Sequence, residues 1–203
     1  MSIIRYTLLA DGTSDAVLMP IVDWLIEQHA PDRGVLSQFA RGLGKVGLDL
    51  CSRIPAALEL FPCDIMFIHR DGETQTYDSR RTEIVSACAN INQKYVPLIP
   101  IRMMEAWLFS DEGAIRAAAG NRNGTMDLML PSKKQWENLP DPKKLLSETL
   151  TTASGKTGRS LRKFNPEQQR HRITELTKNF SALRGIPSFD SFESALIEQL
   201  KSI

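Results

Sequence analysis

Two kinds of apolar run alternate along the first 120 residues. Ile3 to Ala10 is continuous and β-branched, and it stops at the turn cluster Asp11-Gly12-Thr13-Ser14, which predicts a strand and a tight connection. Val17, Ile21, Trp24 and Leu25 then recur at helical spacing. Ser14 is placed to cap that helix, and Pro20 to bend it or shift its start. Val35 to Ala40 predicts a short strand, Arg41-Gly42-Leu43-Gly44-Lys45 a basic loop, and Val46 to Leu60 a helix broken near Pro55. Within Asp64 to His69, the run Ile65-Met66-Phe67-Ile68 is too continuous for a strand wet on one side, and predicts a central strand covered on both faces. A polar loop, Arg70 to Tyr77, leads to a helix from about Ser79 to Asn92, with Ile84, Cys88 and Ile91 on one stripe. Tyr95 to Ile101 predicts a further strand, which Pro97 and Pro100 push to an edge or an irregular position. Met103 to Ala119 predicts a helix broken near Gly113.

That succession gives an α/β fold of Rossmann-like type, a mainly parallel sheet with helices on its faces. After Gly120 the pattern turns polar and helical, with helices expected at Lys143–Thr152, Pro166–Phe180 and Ser191–Lys201. The division expected is an α/β core over residues 1–120 and a helical C-terminal extension over 121–203, packed on the core. With 203 residues in all, the two can form a single domain.

Composition narrows the function classes. Hydrophobic residues at 42% are enough for a real core, and 25 basic against 24 acidic residues argue against a uniformly basic nucleic-acid clamp. Cys51, Cys63 and Cys88 lie far apart without a C-x-x-C pair, which suggests neither a zinc site nor a disulfide framework. No apolar run approaches the ~18–20 residues of a membrane helix, and the first residues do not read as a signal peptide, so a cytoplasmic protein with no membrane partner is expected.

Acidic residues follow the carboxyl ends of the strands, where open parallel sheets bind ligands. Asp11 and Asp15 follow the first strand, Asp71 and Glu73 follow His69, and Glu105 opens the segment after Ile101. Each of these acids can be a helix N-terminal residue favoured by the helix dipole. Converging from three segments, they would instead repel one another unless a cation sat among them, and hard oxygen donors favour Mg²⁺ or Mn²⁺ over zinc.

Leu8-Leu9-Ala10-Asp11-Gly12-Thr13-Ser14-Asp15, Phe67-Ile68-His69-Arg70-Asp71-Gly72-Glu73 and Ile101-Arg102-Met103-Met104-Glu105-Ala106-Trp107-Leu108 resemble a bacterial Toprim-like family of unknown function, often encoded beside ABC-type ATPases. Leu139-Pro140-Asp141-Pro142-Lys143-Lys144-Leu145-Leu146 and Thr152-Ala153-Ser154-Gly155-Lys156 extend the likeness over most of the chain. The resemblance implies a Toprim-like core and a Mg²⁺-dependent phosphodiester chemistry, as in nucleases of anti-phage defence. It implies metal-facing roles for Asp11 and Asp71, which Glu105 joins by its strand-end position, with Asp15 and Glu73 assisting. Asp11 stands where the family usually has Glu, and His69 where it has the first acid of an Asp-x-Asp pair. A nitrogen donor at 69 suits Mn²⁺ better than Mg²⁺, or fits a general base.

Arg70, Arg102, Lys156 and Arg159 are the candidate phosphate contacts. Lys156, Arg159, Arg162, Lys163, Arg170 and Arg172 crowd into one stretch with a single acid, Glu167, which can track a nucleic acid, fold over the acidic pocket to contact a substrate phosphate, or form a solvated helix face. His69-Arg70-Asp71 has the start of a kinase catalytic loop, but Thr76 stands where its Asn is required. Gly155-Lys156-Thr157 ends like a phosphate-binding loop, yet Leu150 occupies the place of the first Gly. Trp24 and Trp107 sit at core spacing, and His29 and His171 read as surface residues. Three functions stay open: a metal-dependent nuclease, a non-catalytic adaptor docking on an ATPase, and a small-molecule phosphohydrolase.

Overall fold

In the computed structural model, which describes residues 2–72 and 74–203, four strands form one sheet in which every neighbouring pair is parallel. The strands are β1 (Ile3–Leu9), β2 (Gly34–Phe39), β3 (Ile65–His69) and β4 (Tyr95–Leu98), in the order β2-β1-β3-β4. Every residue of β3 is buried, as its unbroken apolar run requires. Pro97 lies in β4, an edge strand, where a missing N–H costs no ladder bond on the outer side.

Alternation along the strands builds two cores, one on each face. On the first face Tyr6, Leu8, Ile65 and Phe67 pack under α1 (Met19–His29). On the second, Leu9, Met66 and Ile68 pack under α2 (Leu50–Leu60) and α3 (Tyr77–Cys88). The chain then adds α4 (Glu112–Ala118), α5 (Pro142–Ser154), α6 (Gly158–Arg162), α7 (Pro166–Leu176) and α8 (Pro187–Leu200). Phe189, Phe192 and Leu196 of α8 are buried in the first core, and Phe192 meets Phe67 edge-on at 5.9 Å between ring centroids. Residues beyond 120 thus complete a layer of the sheet instead of capping a finished core. Trp24 and Trp107 are both core residues. His29 lies exposed, bonded to Glu193, and His171 is half-buried.

Local chemistry explains where the expected boundaries move. Pro20 occupies the first turn of α1, where its missing N–H is harmless, so it starts the helix and does not bend it. Pro55 leaves α2 unbroken, because the carbonyl it deprives of a partner belongs to exposed Cys51. The helix expected from 103 to 119 divides at Asp111, not Gly113: a 3₁₀ segment, Met104–Ser110, precedes α4, and Asp111 Oδ1 accepts from the Ala114 N–H at 2.9 Å. No helix among the described residues is long and apolar enough to cross a membrane.

Candidate functional site

Strand β1 connects to β2 on one side of the sheet and β3 connects to β4 on the other, so the chain leaves the carboxyl ends of these two adjacent strands in opposite directions. That divergence opens a crevice between the ends of β1 and β3, the usual ligand position in such sheets. The acidic segments meet there, but on two different faces.

On the first face lie Asp15, His69, Asp71, Glu105 and Arg170. Asp15 sits in the 3₁₀ turn Thr13–Leu18 and is buried; its Oδ2 accepts from the Gly12 N–H and its Oδ1 from the Ser14 hydroxyl, both at 3.0 Å. Ser14 therefore holds Asp15 instead of capping α1. His69, the last residue of β3, is 2% exposed and shares the face of Phe67. Its Nδ1 lies 3.0 Å from the Leu98 carbonyl, which can only accept, so Nδ1 carries the proton. Nε2 is left facing Asp71 Oδ1 at 3.6 Å and Asp15 Oδ2 at 3.9 Å.

Asp71 is fixed by its surroundings. Its Oδ1 accepts from the Met104 N–H at 2.9 Å, and its own carbonyl accepts from Arg80 Nε at 2.9 Å. The next residue, Gly72, donates to the Pro100 carbonyl at 2.9 Å. A Cβ on Gly72 would stand only 3.2–3.3 Å from the backbone of residues 100–102, tighter than ordinary contact, so a larger residue would have to push this crossing apart slightly. Arg102 takes a left-handed backbone, φ 65°, an unusual state for an arginine that marks the crossing as constrained. It lines a cleft of about 330 Å³ with Thr74, Met103, Pro140, Asp141 and Pro142.

Glu105 is buried at the start of the 3₁₀ segment and forms an ion pair with Arg170 Nη1 of α7, also buried. Glu167 faces the same guanidinium at 3.5 Å. The Nε of Arg170 is buried with no partner among the described residues. Around Asp71, then, the His69 imidazole faces two carboxylates, Asp15 and Asp71, and the Arg170 guanidinium faces two more, buried Glu105 and exposed Glu167. Burial pushes the Asp71 carboxyl up from 3.8 to about 6; His69 opposes this, while the negative charges of Glu105 and Asp15 add to it.

On the second face Asp11 is neutralised. Arg70 Nη1 donates to both of its oxygens, at 2.5 and 2.7 Å, and Arg53 Nη1 reaches Oδ1 at 3.0 Å. Arg70 also bridges to Glu83 of α3, which Arg80 holds at 3.0 Å. Asp11 therefore stands apart from the acids expected to share a cation with it, and Arg70 serves Asp11 and Glu83 instead of a phosphate. Alternation explains the split: Arg70 follows His69 and turns to the opposite side of the sheet. Asp11 nonetheless borders a cleft of about 230 Å³ lined also by Arg41, Gly42, Gly44 and Arg53.

Glu73 lies outside the described residues. Lys156 is half-buried with its Nζ 5.3 Å from the centroid of Phe164, whereas Arg159 is exposed. Among the described residues no three His, Cys, Asp or Glu side chains are arranged to cage a metal ion. A Mg²⁺ ion commonly needs only one or two carboxylates, with water and substrate phosphate completing its shell. Asp71 Oδ2 and Glu105 Oε2, which accept no hydrogen bond among the described residues, fit that less demanding role. Arg170, 65 positions from Glu105, belongs to the basic stretch expected to reach a nucleic acid or the pocket's phosphate, and its pairing with Glu105 was not among the sequence-derived expectations. The signal for it is the burial stripe Arg170, Ile173, Thr174 at i, i+3, i+4, which sets this arginine apart from its exposed basic neighbours.

Comparison with family models, with curated proteins and with solved structures finds no match to this chain. The site's chemistry is therefore read from its own geometry.

Proposed function

We propose that the protein is a divalent-cation-dependent phosphodiesterase of Toprim-like type, with nucleic acid as substrate, working in the setting of anti-phage defence. One observation carries this reading: at the sheet's switch point, the buried and half-buried carboxylates Asp15, Asp71 and Glu105 converge with one arginine and one histidine facing them. Asp71 and Glu105 are the residues that would hold Mg²⁺ or Mn²⁺, with His69 beside them. Bound there, the ion supplies positive charge for a phosphoryl oxygen and acidifies a water.

The chain's own residues account for the rest. His69 Nδ1 is locked to Leu98, so Nε2 keeps a fixed direction and can take the proton of an attacking water. Asp15 faces that nitrogen and stabilises the imidazolium that forms. Arg102 stands at the Gly72 crossing, where its side chain lines the cleft in which it can orient a phosphate. The Asp71→Asn variant tests the assignment, because Asn keeps an acceptor for the Met104 N–H while losing the charge. Single-stranded and plasmid DNA should be cleaved by the native chain with Mn²⁺ or Mg²⁺, and at least 100-fold more slowly by the variant. Cleavage equal in the two chains, or absent with both ions, removes the proposal.

A second reading, a non-catalytic adaptor docking on an ABC-type ATPase, draws on a specific observation. Asp11 and Glu105 are each already paired with arginine. An adaptor would capture the ATPase without cleaving under either ion.

A further inference from the structure

We infer that the segment Lys156–Asn165 is a basic arm that binds the phosphate backbone of a nucleic acid beside the switch-point site; it serves the reading above but requires no cleavage. Helix α6 within it buries no residue at all, so packing does not explain why it is there. Its N-terminal side is set by two glycines in left-handed backbone, Gly155 at φ 61° closing α5 and Gly158 at φ 53° opening α6. Nothing lies within 4 Å of where a Cβ on Gly158 would be, so the start of α6 faces open space, while Phe164 anchors the far end of the arm against the first core. At its base the Lys156 ammonium covers the Phe164 ring.

Arg159, Arg162 and Lys163 follow the i, i+3, i+4 spacing of one helix face, are all exposed, and make no ion pair with a described residue. Residues 155–166 contain no acid, and the first one beyond, Glu167, is turned to Arg170. In a chain of net charge +1 such a concentration is local by construction. Three unpaired cations within about one helical turn suit a strand that carries one charge per ~3.4 Å of its axis.

The arm's other side chains decide between polyanions. A lipid surface would call for an apolar face, and the arm offers only Leu161, 38% exposed, with Phe164 already engaged by Lys156. A protein interface would call for an apolar or aromatic centre depleted in lysine, which is also lacking. Position agrees as well. Helix α7 begins at Pro166, directly after the arm, and Arg170 reaches Glu105 only four residues, about 6 Å, along it. A strand lying on the arm would pass close to the crevice.

The test uses the full chain in EDTA, so that cleavage plays no part. Binding of fluorescently labelled single-stranded and duplex oligonucleotides is followed by anisotropy across a salt series. The triple variant Arg159→Gln, Arg162→Gln, Lys163→Gln touches no buried residue and should fold as the native chain, checked by circular dichroism. Its salt dependence should be shallower by about 2 in log–log slope on single strands or about 3 on duplex, with affinity at least tenfold weaker. Changing Arg159 and Arg162 to Lys should restore the native slope. An unchanged slope and affinity in the triple variant overturns the inference, as does native binding to polyglutamate as tight as to either oligonucleotide. Binding is read in EDTA and cleavage only with Mn²⁺ or Mg²⁺, so a native chain that binds through the arm without cleaving marks a failure of the catalytic reading alone.

Discussion

The two faces at the carboxyl edge of the sheet treat the same chemistry in opposite ways. On the face covered by α2 and α3, Arg53, Arg70 and Arg80 serve Asp11 and Glu83 in one partly solvated chain of ion pairs. On the face that holds Arg170 and His69, Glu105 pairs with the arginine and Asp15 and Asp71 face the histidine, with Asp15 and Glu105 buried and Asp71 half-buried. Charges that balance near water contribute modestly to stability and need no further partner. Charges that do not balance in a buried crevice raise the cost of the fold, and such a cost persists where a ligand relieves it. The difference separates an ordinary surface network from a site, although both consist of strand-end acids next to arginines.

The buried ion pair gives the largest test of that contrast. Replacing Arg170 with Met leaves Glu105 charged and unpartnered at 3% exposure, and should destabilise the fold by about 3–5 kcal/mol in urea unfolding. Adding Glu105→Leu should recover most of the loss, since a buried pair is replaced well by apolar groups of similar size. A loss below about 1 kcal/mol in the single variant would mean that water reaches Glu105 and that the crevice is not the low-dielectric site described.

Asp71 should give a smaller effect of opposite sign. Because its folded-state carboxyl titrates near 6 and not 3.8, the folded chain holds this proton to higher pH than the unfolded chain does. The resulting penalty is absent below about pH 4, grows between about 4 and 6, and is constant above, at up to about 3 kcal/mol. The Asp71→Asn variant should therefore match the native chain at pH 4 and exceed it in stability at pH 8, while losing cleavage. Equal stability at both pH values would show that the carboxylate is well solvated, and the charge imbalance would no longer mark the site.

Much of the scaffold is legible in the sequence because the strands are buried on both sides and so read as unbroken apolar runs. Ile65-Met66-Phe67-Ile68 points to a central strand, and Pro97 to an edge. The crevice is legible only as a set of strand-end acids. Which of them share a face depends on the turn after β1 and on one more step of alternation after His69, and neither leaves a pattern in composition. Arg170 is harder still, since its partner lies in a distant segment and its basic neighbours are surface residues. The role of α8 is hidden for a related reason: an amphipathic helix at the end of the chain shows an apolar stripe but not the sheet face it covers.

The weakest expected effect is the one that most sharpens the comparison between faces. Asp11 is 48% exposed and held by two arginines that are anchored elsewhere, Arg70 on Glu83 and Arg53 on the Ala10 carbonyl. Asp11→Asn should lower stability by less than about 1 kcal/mol, as removing one partner of a half-exposed pair does. If the crevice works through Asp71, Glu105 and His69, cleavage and Mn²⁺ binding by this variant should stay within about threefold of native. The resemblance to Toprim-like proteins implies the reverse, since Asp11 matches the family's first acid. A loss of cleavage as large as that of Asp71→Asn, with stability unchanged, would return Asp11 to the cation. It would also mean that Arg53 and Arg70 release it when substrate binds, so that the balanced face is a resting state of the site and not a separate structural network.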